Sequence, residues 1–320
     1  MANTESDTTL PITPATPRNY TKREKAMMTT RKYVIEPAKI LREDNRAIIG
    51  FTILLAYILV GTIGVWYMEP TTLWHGDRLE APFQSWEHPL GTDNAGYDIL
   101  TMLVYGTQPI LIMTASGAIF ATSIATVLGM VSGYVGGLTD QVLSAILDIA
   151  LTIPGLPLVI VLAVTLRPSH PVAIGILLTI NAWGGLGRNI RSQVLAIRRE
   201  SYVEASRAMG IGRGKIIWSD LLPNMMPYIV YNFMTSARNV IFASVGLYYL
   251  GILPYTQQNW GVMLDDAQSG GALTSASIFQ WMLFPILTIV LLSVALILLG
   301  QSADKLFNPR VRARNEAPTK

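Results

Sequence analysis

An unbroken apolar run, AIIGFTILLAYILVGTIGVWYM at 47–68, constrains this chain more than any other feature. At about 1.5 Å per helical residue it crosses a hydrocarbon core of about 30 Å, and it outruns the core of a cleavable signal peptide. It is expected to be an uncleaved first membrane span. Further runs at about 110–131, 142–166, 172–186, 227–250 and 281–300 bring the expectation to six spans in an all-α integral membrane protein. Composition agrees: 51% of the residues are hydrophobic and 14% charged, against about 25% charged in soluble domains. A net charge of +3 is too small to argue for nucleic acid, and with no cysteine there is neither a disulfide nor a thiolate metal site. No cofactor or metal is expected, and the bilayer is the first partner.

Orientation follows from the basic residues, which stay with cytoplasmic loops. If the N-terminus is inside, the cytoplasmic segments are 1–46, 132–141, 187–226 and 301–320, and they hold 21 of the 24 Lys and Arg residues. Arg78 and Arg167 fall outside and Arg238 falls within the fifth run. Both termini are therefore expected in the cytoplasm. The chain divides into a polar tail at 1–46, a membrane domain at 47–303 with outer loops at 69–103 and 251–280, and a basic tail at 304–320.

Within the third run, LTIPGLPL places Pro154, Gly155 and Pro157 where they must bend or interrupt a helix. An unsatisfied backbone group in hydrocarbon costs several kcal/mol, so such a break needs protein or a water-lined path beside it. A packing kink and a pathway-lining helix are both open readings at Pro154. Intramembrane charges are costly and default to function. Asp148 and Arg238, opposite in sign and similar in depth, are expected to pair. A carboxylate satisfied by backbone at the Pro154 kink is the other reading of Asp148.

The segment YVEASRAMGIGRGKIIWSDLLPNMMP at 202–227 is too charged and too broken for a span. The 188–209 stretch reads as a helix with apolar Val194, Ile197, Tyr202, Ala205 and Ala208, and Gly210 supplies a left-handed stop. KIIWSDLL then reads as a second short helix ending at Pro223, with helix resuming at Pro227. Two short helices about a glycine hinge make a protruding knob. Locally, a knob for a socket on another protein and an amphipathic helix on the lipid surface fit equally.

The spacing separates them. Glu204-Ala205-Ser206, three residues, Gly210, nine residues, then Asp220-Leu221-Leu222-Pro223 closely resembles the EAA loop of ATP-binding-cassette (ABC) transporter permeases, with Ser206 replacing the third alanine and Asp220 standing where peptide-type members often have histidine. HPLGTDNAGYDILTMLVYG, GYVGGLTDQVLSAILDIALTIPG, YYLGILPYTQQNWGVML and the 281–310 stretch extend the resemblance to the C-type subunit of dipeptide, oligopeptide and nickel permeases over about 32–312. Two departures lie in the fifth run: Ser244 stands where an acid is common, and Arg238 where the family is apolar.

The resemblance implies a type I importer permease fold in the plasma membrane. It implies a loop in which Glu204, Ala205, Ser206, Gly210, Asp220 and Pro223 couple to an ATPase, and a pathway for which Asp148, Pro154, Arg238 and Ser244 are candidates. Partners are then a homologous B-type permease, two cytoplasmic ATP-binding subunits, and an extracellular substrate-binding protein on the outer loops. The cargo is peptide, oligosaccharide or a nickel chelate. No G-x-x-x-x-G-K-[ST] run occurs, so ATP hydrolysis is expected on separate subunits and the chain itself is no enzyme.

His75, His88 and His170 lack ligand spacing and read as surface residues. Trp74, Trp86 and Trp260 read as interfacial anchors or as cover for the binding protein. A secondary transporter using Asp148 as its ion site is the alternative class. A membrane enzyme is disfavoured because HExxH, GxSxG and paired intramembrane aspartates do not occur.

Overall fold

The computed structural model describes residues 44–69, 76–255 and 259–307, with the side chains of 304–307 left aside. Expectations for residues 1–43, Trp74, His75 and residues 308–320 lie outside the described residues. Those described form an all-helical body whose only β feature is a bridge between Thr92 and Asp98.

Helix α1 (Asn45–Leu59) starts where the Asp44 carboxylate accepts from the Arg46 backbone N–H, and continues through a π-helical stretch, Val60–Gly64, into Val65–Tyr67. Helix α2 (Ile99–Val135) starts well before the apolar run at 110–131. Asp98 caps it, accepting from the Thr101 N–H at 2.8 Å, and Ile99, Met102 and Leu103 are buried. The third run is broken as its sequence requires: α3 (Gly137–Thr152) and α4 (Gly155–Leu166) meet at 78° across Ile153 and Pro154. The fourth run is also broken, into α5 (Pro171–Leu178) and α6 (Trp183–Ile197).

After α6 come α7 (Ser201–Ala208), a single turn α8 (Arg213–Ile216), and a π-helical stretch, Ile217–Leu221, that runs directly into α9 (Leu222–Tyr249). The expected stop at Pro223 is therefore absent. Pro223 sits in the first turn of α9, where its missing N–H breaks no ladder bond. The expected helix at 188–209 is likewise split, between α6 and α7. Helices α10 (Trp260–Ser269) and α11 (Gln280–Phe307) complete the body.

Helix α2 packs against α5, α6 and α9, while α11 pairs with α9 and α1. Small residues let backbones approach, as between membrane helices generally. A Cβ on Gly129 of α2 would lie 2.5 Å from the Gly187 carbonyl of α6, and one on Gly117 would lie 2.6 Å from the Gly175 carbonyl of α5. Two apolar cores result. One surrounds Ile110, Met113, Ile241, Trp260 and Trp281; the other surrounds Ile190, Val194, Val203, Ile216, Leu221 and Met225, at the foot of the loop that carries α7.

Among the described residues, three helices, Asn45–Tyr67, Ile99–Val135 and Gln280–Ala303, are long and apolar enough to cross a membrane, or four spans if the bent α3–α4 pair counts as one. Helix α9 falls short on composition because Asn224, Asn232, Thr235, Ser236, Arg238 and Asn239 interrupt its apolar sequence.

Candidate functional site

The segment between α6 and α9 is built around a helix stop. Helix α7 ends at Ala208, and Gly210 takes φ of +74°, a conformation that only glycine adopts freely. The Gly210 N–H then donates to the Arg207 carbonyl at 3.0 Å and the Ile211 N–H to the Ser206 carbonyl at 3.1 Å. This is a Schellman closure, and it satisfies carbonyls that the helix end would orphan.

Val203 is fully buried and Ser206 nearly so, which anchors one face of α7 on the core below. The opposite face carries Glu204, Ala205, Arg207 and Ala208, all exposed, and Met209 at the tip is 71% exposed. Nothing lies within 4 Å of a Cβ built on Gly210, Gly212 or Gly214, so the hinge stands clear of the body.

Ser206 and Asp220, the two substitutions within the loop pattern, lie together. The Ser206 hydroxyl beside Asp220, followed by the Ser219 hydroxyl that donates to it at 2.7 Å, holds the Asp220 carboxyl below its ordinary range. The loop is tied to the body as well. Arg207 stacks over the Tyr134 ring at 5.8 Å, and Arg198 donates to the Gly133 carbonyl at 2.9 Å.

The pathway candidates separate. Asp148 and Arg238 do not pair: the carboxylate of Asp148 accepts from Arg188, one helix over on α6, and both side chains of that pair are about half exposed. This also removes the reading of Asp148 as a buried carboxylate at the kink. The sequence places Arg188 in the cytoplasmic segment 187–226, and spacing along the chain does not show its reach back to α3. A second pair runs beside the first, Arg191 donating to Asp140 through Nε at 2.6 Å and Nη2 at 2.7 Å. The i, i+8 spacing of the acids and i, i+3 spacing of the arginines, each placing its pair on one helix face, was the available signal.

Among the described residues, the side chain of Arg238, partly exposed near the middle of α9, makes only a 3.5 Å contact to Asn239, and its Nε is buried with no partner. Ser244 is fully buried, its hydroxyl donating to the Ile241 carbonyl at 2.9 Å, so it belongs to the core and lines no open path in this chain. At the Pro154 break, the Asn181 side-chain amide supplies the donor that the backbone lacks.

The segment 76–98 is closely folded. Asp93 accepts from the Ala95 and Tyr97 N–H groups, each at 2.8 Å, and Thr92 donates to the Asp77 carbonyl. His88, expected at the surface, is buried with Nδ1 2.9 Å from Glu80. His170 caps α5. Trp260 is neither anchor nor docking cover: it is fully buried and donates to the Leu103 carbonyl at 3.1 Å. Trp86, 98% exposed, and Phe83, 83% exposed, remain as surface aromatics on this segment.

Comparison with known proteins bears on the whole arrangement. Residues 125–313 match the family described as binding-protein-dependent transport system inner membrane component. The dipeptide transport system permease protein DppC of Bacillus subtilis is 31% identical over 285 residues, covering 88% of this chain and 87% of that protein. The oligopeptide transport system permease protein OppC of Haemophilus influenzae is 31% identical over 275 residues, 84% and 86% of the two chains. OppC of Bacillus subtilis is 29% identical over 248 residues, 76% and 78%.

Proposed function

This chain belongs to the family of binding-protein-dependent transport system inner membrane components, a multi-pass permease subunit of the plasma membrane, and we propose that it forms half of an ATP-driven import pathway for peptides or a related small solute. Its fold is that of an all-helical membrane permease. The finer topology is part of the proposal: six spans formed by α1, α2, the bent α3–α4, α5 with the start of α6, α9 and α11, with both termini cytoplasmic. The distribution of Lys and Arg supports that orientation.

The observation that carries the coupling role is the exposed face of α7. Glu204, Ala205 and Met209 project from a short helix that is closed by Gly210 and footed on buried Val203 and Ser206. A small, rigid, apolar-tipped projection fits a groove on a partner and has no evident use in a chain working alone. Two cytoplasmic ATP-binding subunits hydrolyse ATP, and their closure moves Glu204 to Gly210. Pro223, in the first turn of α9, lets that motion pass into the membrane helix without a break.

A homologous B-type permease supplies the other half of the pathway, with Asp148, Pro154 and Arg238 as candidates on this side. The unpaired buried Nε of Arg238 within a membrane helix favours a role for that charge over a purely structural one. An extracellular binding protein delivers cargo to the 69–103 and 251–280 loops, where Trp86 and Phe83 stand exposed.

The test is uptake of labelled peptides by the reconstituted complex. The proposal expects uptake with ATP and binding protein and none with an ion gradient alone. Gradient-driven uptake without ATP would make the chain a secondary transporter.

A further inference from the structure

Between α7 and the end of α2, lined in part by Glu204 and Arg207 of the exposed face, lies a cavity of about 560 Å³, within the range of about 300–1,000 Å³ usual for small-molecule sites. One wall is the end of the long apolar helix α2, at Tyr134 and Val135, and the others carry Arg198, Arg199, Arg207 and Arg213. Glu204 is the one acid lining it, so four positive charges face one negative. Two of the arginines are fixed, Arg198 by the Gly133 carbonyl and Arg207 by the Tyr134 ring. The side chains of Arg199 and Arg213 have no hydrogen-bond or ion-pair partner among the described residues.

Four guanidinium groups lining one concavity against a single carboxylate give it a positive potential that favours an anion. Planar guanidinium forks match the oxygens of a phosphate group, each fork donating two parallel hydrogen bonds. The cavity opens where a membrane-crossing helix ends, and basic pockets between such helices on the cytoplasmic side suit anionic headgroups.

We propose that this cavity binds a phosphate-bearing anion, with Arg198 and Arg207 as its preset wall and Arg199 and Arg213 closing on the ligand. The wall formed by Tyr134 and Val135 points to the headgroup of an inner-leaflet phospholipid, and a soluble phosphate compound shares the chemistry. The placement rests on the cytoplasmic topology proposed above. Occupancy would link the ends of α2, α6 and α7 through one ligand and stiffen the base of the knob.

The assembled transporter is tested with two probes. Native mass spectrometry reads retention of phosphatidylglycerol against phosphatidylcholine of equal chain length, and calorimetry in phosphatidylcholine nanodiscs, with the ATP sites of the partner subunits filled by a non-hydrolysable ATP analogue, reads binding of inorganic pyrophosphate. Removing one basic residue near a membrane surface weakens anionic binding by about fivefold, so the double variant R199Q/R213Q is expected to lose about 25-fold, while R199K/R213K retains binding. Preference for phosphatidylglycerol assigns the lipid source; pyrophosphate binding with no lipid preference assigns the soluble one. The proposal falls if neither probe binds or if R199Q/R213Q binds as the native chain does. It falls equally if R199Q/R213Q sheds the ATPase while anion binding is unchanged, which would make the cavity a protein-docking surface. Bound anion is read without ATP turnover, so this failure is separable from failure of the coupling role.

Discussion

Asn181 donates its side-chain amide to the Ile153 carbonyl at 3.1 Å and so joins two helix breaks. Ile153 lies at the 78° bend between α3 and α4; Asn181 lies in the short turn between α5 and α6. Neither break would be stable in an apolar layer alone. Replacing Asn181 with leucine removes the donor and orphans the carbonyl, at a cost of about 1–3 kcal/mol. Thermal unfolding of the purified complex should show a lowered midpoint for N181L, and a smaller loss for N181Q, which keeps the amide. Equal loss in both would place the effect in packing.

The approach of α2 to α6 at Gly129 depends on the absence of a side chain. A Cβ there would meet the Gly187 carbonyl at 2.5 Å and the Ile190 Cβ at 2.9 Å. G129A should therefore force the helices apart, costing about 1–3 kcal/mol. A control alanine at Gly214, where a Cβ meets nothing within 4 Å, should leave the midpoint unchanged.

The pair between Asp140 and Arg191 predicts a pH dependence. The Arg191 guanidinium first, with the Ser132 and Ser144 hydroxyls adding, holds the Asp140 carboxyl well below the usual carboxylate range despite partial burial. A carboxyl depressed in the folded state is protonated first in the unfolded chain, so its contribution is complete above the unfolded value near pH 4 and fades as the pH falls toward the folded value. D140N should thus be less stable by about 1.5–3 kcal/mol, unchanged between about pH 5 and 8 and shrinking below about pH 4. A gap that varies between pH 6 and 8 would assign the effect to another group.

The all-helical class of the fold was legible because lipid leaves few choices. Apolar run length and the Pro154-Gly155-Pro157 cluster located the helices and the bend, and Gly210 marked its own left-handed turn. Three features were hidden by physics that sequence spacing does not carry. The start of α2 depended on the Asp98 cap, which reads as loop. Pro223 looked like a stop, yet a helix tolerates proline in its first turn. The partner of Asp148 depends on the lateral packing of α3 against α6, which brings Arg188 to it from a stretch that reads as loop. Trp260 and His88 show the same limit, since burial of an aromatic or a histidine in a loop follows from tertiary closure.

The six-span topology can be checked on a clean background, because the chain has no cysteine. Single cysteines placed at Ala208 and Gly137 should react with a membrane-impermeant maleimide only after the cells are opened on the cytoplasmic side. One at Trp86 should react from outside in intact cells. Reversed labelling of Ala208 would overturn the orientation.

The central claim is that α7 is the contact through which an ATPase drives this permease, and co-purification tests it most directly. The tagged chain is solubilised as a complex and compared with E204R, which reverses an exposed charge, and with G210P, which denies the +74° turn and its N–H. The expected result is that the native chain brings down an ATPase and a second permease, while both variants keep the second permease and lose the ATPase. If both variants retain the ATPase and ATP-driven uptake at the native level, α7 is not the coupling element.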